Sequence, residues 1–268
     1  MKLRMMSRDL LAHKLKAMAV SLTVFVFFAG MLLLLNYGVL YPDFLFALDG
    51  GLQGLQLVLA VDLVLGPLLA FVIYNHEKPR REQIMDIGLV AIIQFSAMVW
   101  GSYQVWSQRP VAVVFGDGRF VSITVDSIEP QEKTPEDLQV FSDREPPFIY
   151  RRDPLGEEEM GRMAYTMLNR FIHLEAQVWL FEPFAENHDK VFARSTAVRA
   201  WLESSEKDRW AAWRAANESV LPERCRFALF QGRYGNGVLI FNAEGLYLDY
   251  VPLSGDLPNP DKIAEPAA

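Results

Sequence analysis

The chain has 268 residues, with 26 Lys and Arg against 33 Asp and Glu, a formal net charge of -7, 51% hydrophobic residues and one cysteine. These averages exclude a disordered acidic chain, a basic nucleic-acid binder and a disulfide-rich secreted scaffold. They also conceal a division, because the first 106 residues carry 8 Lys and Arg with 7 Asp and Glu, whereas the other 162 carry 18 and 26.

Crossing a hydrocarbon core takes about 20 apolar residues. Three windows reach that length without Lys or Arg and predict transmembrane helices: Ala17 to Leu40, Leu52 to Tyr74 and Met85 to Trp106. The first follows a basic segment (Lys2, Arg4, Arg8, Lys14, Lys16), so a cleavable signal peptide competes with an anchor. The apolar run continues through Met31 to Leu35 with no small-x-small site, which favours the anchor. Lys78, Arg80 and Arg81 crowd the second loop and the first has no basic residue, so the positive-inside rule makes the N-terminus and second loop cytoplasmic. Three crossings then place the chain after Trp106 outside, and Trp100, Tyr103 and Trp106 suit an interfacial aromatic belt.

Asp62 falls mid-span, where an ionised carboxylate costs about 2.5 to 3.5 kcal/mol on insertion scales. It needs a proton or a partner. Three uses fit: a structural hydrogen bond with Gln94 at similar depth, a contact for another protein's transmembrane helix, or a proton relay, for which only Asp86 offers a second ionisable group. Gly66 and Pro67 follow one turn later; proline kinks the helix and glycine admits a neighbour, so together they predict a notch.

Beyond Trp106 the pattern changes. Val111 to Phe115 and Arg119 to Val125, joined at Asp117-Gly118, read as a hairpin. A loop rich in Pro, Glu and Asp follows from Ser127 to Asp153. A helix begins near Glu157 to Glu159 with Met160, Met163, Ala164, Met167, Leu168 and Phe171 on one side, and further helices are predicted over Phe184 to Leu202 and Asp208 to Glu218. Arg226 to Arg233, Val238 to Asn242 and Leu246 to Val251 read as closing strands, and Gly255 to Ala268 as a loose tail. The predicted architecture is a basic cytoplasmic N-terminus (1–16), a three-helix membrane domain (17–106), an extracytoplasmic α+β domain with an antiparallel sheet (107–254) and a tail (255–268).

Catalytic signatures are sparse. His173-Leu174-Glu175 lacks the P-C-x-x-C of a zinc deaminase, and His173 and His188 are not in an H-E-x-x-H pattern. The run Gly232 to Gly237 suits a hairpin better than a phosphate cradle, and a lone Cys225 reads as a buried thiol. Trp179, Trp201, Trp210 and Trp213 read as core packing before a partner surface. The expectation is a non-enzymatic protein with no cofactor, no metal and no nucleic-acid partner.

Three segments, VDLVLGPLLAFVIYN (61–75), DIGLVAIIQFSAMVWGSYQVWSQRP (86–110) and VAVVFGDGRFVSI (111–123), resemble the TfpX/TfpZ-type type IV pilin accessory proteins. The matching features are D-L-x-x-G-P-L at Asp62, Gly66 and Pro67, the exit ending in Arg109 and Pro110, and the turn with Asp117, Arg119 and Phe120, into which this chain inserts Gly118. The likeness covers about Met1 to Ser127. It implies a multi-pass inner-membrane protein of pilus-bearing bacteria, a pilin-specific chaperone or assembly factor. Its partners would be the bilayer, the major pilin (hydrophobic helix and outer head) and, through it, the assembly machinery. The expected partner-binding positions are Asp62, Gly66, Pro67, Gln94, Arg109, Pro110 and Arg119. The alternative is a membrane-anchored sensor or scaffold reading an extracytoplasmic ligand, although little cytoplasmic chain is left for output.

Overall fold

A helix apolar on every side has no face to bury in a water-soluble core, so its stable surroundings are hydrocarbon. Helix α3 (Arg80–Ser107) has that character. Ile84, Leu89, Ile92, Phe95, Val99 and Trp100 are all exposed around its circumference. The computed structural model describes residues 8–57, 59–60, 68, 79–260 and 263. Among them α3 is the one helix long and apolar enough to cross a membrane, with Ala29–Leu40 as a shorter apolar segment.

The expectation of three transmembrane helices is corrected by that count. Helix α1 (Arg8–Leu35) passes into a π-helical turn over Asn36–Leu40, so the first apolar window ends in a change of helical geometry instead of one continuous α-helix. The second window, with Asp62, Gly66 and Pro67, lies largely outside the described residues.

The chain divides into two compact units, Met1–Leu40 with Gly51–Trp106, and Tyr41–Gly50 with Ser107–Ala268. The second is an α+β domain on a seven-stranded sheet: β1 (Pro110–Gly116), β2 (Arg119–Thr124), β3 (Phe148–Arg151), β4 (Phe181–Pro183), β5 (Arg226–Gln231), β6 (Asn236–Phe241) and β7 (Tyr247–Pro252). Their spatial order is β4-β3-β1-β2-β5-β6-β7. The β1–β2 hairpin forms as its sequence dictates. Asp117 (φ 51°) and Gly118 (φ 77°) both take the left-handed conformation that a two-residue hairpin loop with the strands' own twist requires.

The expectation of an antiparallel sheet is corrected to a mixed one. Strand β3 pairs parallel with β1 (Val113 opposite Phe148), and β5 pairs parallel with β2 (Phe120 opposite Phe230). Both parallel partners return after long excursions, which can bring a strand back in the same direction, whereas the short turns of the hairpins force reversal. β3 lies inside the stretch expected to be loop.

Alternation along the strands buries both faces. One carries Val114, Ile123 and Ile149 in one apolar cluster, and Phe227, Leu229, Val238, Ile240 and Val251 in a second. Helices α5 (Ser195–Ser205) and α6 (Lys207–Ala216) cover the second with Val198, Leu202 and Trp213. Trp210 stacks on Trp213 at 5.2 Å and Trp201 packs against the same cluster, so these three tryptophans serve the core. Leu257 and Ile263, from the expected tail, join them. The window 184–202 is not one helix, because short turns over Ala185–Asn187 and His188–Val191 precede α5. The opposite face of the sheet is aromatic: Phe120, Phe148 and Phe241 meet there, with ring centroids 5.3 to 5.8 Å apart.

Helix α4 (Gly156–Arg170) starts where expected. Glu159 folds back to accept the backbone N–H of Leu155 (2.7 Å) and a two-pronged contact from Arg152 (2.6 and 3.0 Å). The Arg152 hydrogen bonds, then the Leu155 N–H, hold its carboxyl down at about 2. Because the folded-state value lies below that of the unfolded chain, the contribution of this contact is complete above the ordinary glutamate range and is lost as pH falls from there toward 2. In a carboxyl-resolved NMR titration the Glu159 resonance should titrate near pH 2, and Arg152→Gln should return it toward the ordinary value.

Candidate functional site

The ten residues Tyr41–Gly50 lie between two apolar windows and yet belong to the α+β unit. They form a strap on the aromatic face of the sheet. Its core is the short helix α2 (Phe44–Leu48), in which Phe44, Leu45 and Leu48 are buried. Phe44 sits edge-on to Phe230 at 4.8 Å and tilts against Tyr247 at 5.4 Å. Arg144 closes over this group. Its guanidinium lies 4.6 Å from the Phe148 ring and 4.7 Å from Tyr247, and its Nη2 donates to Asp43 Oδ2 at 3.0 Å. Flat aromatic faces attract a cation, and the carboxylate anchors it there.

The far end of the strap is held by charge. Asp49 is wholly buried and faces Arg233 in the β5–β6 loop: Nη2 to Oδ2 is 3.1 Å, Nε to Oδ1 is 3.3 Å, and the Arg233 backbone N–H also reaches Oδ1 at 3.1 Å. Burial alone would lower the Arg233 pKa, but the charge and hydrogen bonds of Asp49 leave it raised. The same guanidinium donates to the Gln108 carbonyl at 2.9 Å, as does the Tyr41 hydroxyl at 2.9 Å. Strap, β5–β6 loop and the start of β1 therefore meet at one polar node.

The glycines of the β5–β6 loop are explained by the strap. The backbone N–H groups of Tyr234 and Gly235 both donate to the Leu48 carbonyl, at 3.1 and 3.0 Å. A Cβ on Gly232 would collide with that same oxygen, and one on Gly237 would lie 2.7 Å from the Leu48 side chain. The run Gly232 to Gly237, which forms the hairpin loop and the start of β6, is thus shaped to receive another backbone, and three glycines in six residues were the signal of that close approach.

The residues expected to bind a partner fall as follows. Asp62, Gly66 and Pro67 lie outside the described residues. Gln94 is half-buried on α3. Arg109 is half-buried at the exit from α3, and Pro110, buried, opens β1 opposite Thr124. Arg119 opens β2 opposite Leu229, with its buried Nε lacking a hydrogen bond. Arg109, Pro110 and Arg119 are all in the α+β unit. Among the described residues no group of three His, Cys, Asp or Glu is placed to hold a metal ion. His188 packs on Phe184 at 4.6 Å, and burial and then Arg226 lower its pKa. Cys225 is a half-buried free thiol whose pKa burial raises.

Helix α4 leaves most of its apolar side uncovered, with only Met163 and Ala164 of that side half-buried. Thr166 is its one buried residue, while Met160, Met167, Leu168 and Phe171 are exposed, Phe171 at 85%.

An apolar span joined to a folded α+β domain defines a membrane-associated protein. Comparison with known proteins narrows this. The chain is 37% identical over 95 residues to the fimbrial assembly protein of serogroups C1 and C2 of Dichelobacter nodosus, covering 35% of this chain and 70% of that one. It is similar to the serogroup I protein at 37% and the serogroup E1 protein at 35%, each over 95 residues and 35% of both chains. The chain belongs to this family of fimbrial assembly proteins. The match spans about a third of the length of the serogroup I and E1 relatives. No family model and no solved structure matches.

Proposed function

We propose that the protein is a fimbrial assembly factor of the bacterial inner membrane, of the TfpX/TfpZ type, which binds the major type IV pilin and stabilises or presents it for assembly without covalent chemistry. The observation that carries this reading is the likeness to the fimbrial assembly proteins of Dichelobacter nodosus. The architecture suits it. Arg80 and Arg81 open α3, and the positive-inside rule favours a cytoplasmic location for this end, which supports a periplasmic α+β domain within reach of a pilin head. The uncovered side of α4 supports a protein contact, since flexible methionines adapt to a partner surface and large exposed apolar areas mark interaction sites.

The test is complementation of a strain lacking the gene. The deletion strain should lose surface pili and accumulate less pilin, and the wild-type chain should restore both. A Met160→Glu, Leu168→Glu chain, altered only at exposed side chains, should insert and melt normally, yet copurify with pilin at least tenfold less. Wild-type piliation in the deletion strain would refute the assembly role. Normal copurification by the double variant would remove α4 from it.

A further inference from the structure

Helix α4 carries a stripe that the domain does not use. Met160, Ala164, Met167, Leu168 and Phe171 recur at helical spacing along one side, over about 16 Å at 1.5 Å per residue. Leu168 is 73% exposed and Met160 54%. The helix rests on the domain through the neighbouring side, where Thr166 is buried and the Met163 carbonyl accepts the Gln177 side-chain amide at 3.2 Å. The two arginines of α4 are engaged beside the stripe, not on it. Arg162 lies 4.5 Å from the centre of the Trp179 ring, and Arg170 donates to the Pro130 carbonyl at 2.6 Å. Carboxylates mark both ends of the stripe. Glu157 and Glu158 are exposed in the first turn, and the Arg170 contact brings the turn with exposed Glu129, Glu132 and Lys133 beside the last one.

We propose that this stripe receives a helix of another protein, apolar on one side and bearing Lys or Arg at its ends. Such docking rests on the assembly role proposed for the chain and adds the chemistry of the bound segment. An extended segment would bring backbone N–H and C=O groups in need of partners, and α4 pairs its own within the helix. A helical partner arrives with its backbone already paired. The two surfaces then meet as ridges and grooves of side chains, with adaptable methionines at the contact. A bilayer surface attracts amphipathic helices rich in Lys and Arg, and the carboxylates at both ends of this stripe oppose an anionic leaflet. A second copy packed through the same stripe would set acidic end against acidic end, whichever way the two helices run, and like charges in an interface are costly. Basic ends on the partner convert the same carboxylates into attraction.

The probe is a synthetic helix as long as α4, with one side of leucine and two Lys at each end; its twin has Glu in place of each Lys. Both are titrated against the full chain in phosphatidylcholine nanodiscs, with empty discs subtracted. The basic peptide should bind at least tenfold more tightly than the acidic one, and added salt should narrow the difference. Glu132→Lys with Glu157→Lys, one change at each end, should reverse the preference. Met160→Gln with Leu168→Gln should weaken the basic peptide at least tenfold, and both variants should melt as the wild type does. Equal affinity for the two peptides, an unchanged preference in the charge-reversed chain or undiminished binding by the glutamine chain would each overturn the proposal. So would two copies per disc that separate in the glutamine chain, which assigns the stripe to self-association. Quenching by spin-labelled lipid of a fluorophore at Leu168→Cys, in a Cys225→Ala background, would overturn it in favour of the bilayer. No pilin enters this titration, so its failure is distinct from that of the assembly role, which wild-type piliation in the deletion strain refutes.

Discussion

Asp49→Ala is expected to lower the unfolding temperature of the α+β unit by roughly 6 to 12 °C. Removing one member of a buried ion pair costs about 3 to 5 kcal/mol, because the other charge stays behind without compensation. Arg233 keeps a third of its side chain in contact with solvent and retains the Gln108 carbonyl, which puts the cost at the low end, about 3 kcal/mol. Each kcal/mol moves the midpoint by about 2 to 4 °C in a domain of this size. Thermal unfolding of the full chain in nanodiscs, followed by near-ultraviolet circular dichroism, reads the shift. Hydrogen exchange provides a local readout, since the Tyr234 and Gly235 amides donate to Leu48 and should exchange faster once the strap loosens. Asp49→Ala together with Arg233→Met should recover much of the loss, because the second change removes the stranded charge. An unaltered midpoint with unaltered exchange would show that the ion pair does not hold the strap.

Phe44→Ala should be at least as costly, about 3 to 5 kcal/mol, the usual loss when a buried phenylalanine is truncated and its cavity cannot collapse. Phe44 has no exposed surface, and four aromatic neighbours surround it. The rigid sheet on one side and the Arg144 guanidinium on the other limit relaxation. Phe44→Leu keeps most of the volume and should cost less than about 1.5 kcal/mol. Denaturant unfolding of the two variants separates filling of the site from aromatic stacking: a leucine variant as weak as the alanine variant would assign the stability to ring geometry. Phe44 and Asp49 sit at opposite ends of one strap, so combining Phe44→Ala with Asp49→Ala should cost clearly less than the sum. Once either anchor releases the strap, the other has little left to lose. Additive losses would mean that the two ends dock independently.

Both effects fall on a segment that looks like a mere connector in the sequence. Tyr41 to Gly50 has no period and no motif, and its anchor lies 184 residues away at Arg233. Pairing over such a distance leaves no local trace. What was visible was the receiving side, the glycine-rich loop, whose need for a close neighbour could be inferred without knowing which neighbour. β3 was hidden for a related reason. Phe148 to Arg151 is only four residues long, directly after two prolines in an acidic stretch, and becomes a strand because β1 offers it a parallel edge and Ile149 a place in the core. The ion pair of buried Arg151 with Asp117 depends on that same unseen strand, so no spacing rule could have assembled it.

The amino-acid sequence by itself determined what depends on near neighbours: the apolar character of α3, the Asp117-Gly118 hairpin, the closing strands β5 to β7, the start of α4 and the segregation of acidic charge beyond Trp106. Tertiary structure alone decided the mixed pairing of the sheet, the capture of Tyr41 to Gly50 by a loop far along the chain, the exposure of the apolar side of α4 and the burial of Arg151. The difference is physical. Periodicity and turn chemistry act within a few residues, whereas parallel pairing, buried charge and an uncovered face depend on which distant surfaces meet, and that is set by packing across the whole domain.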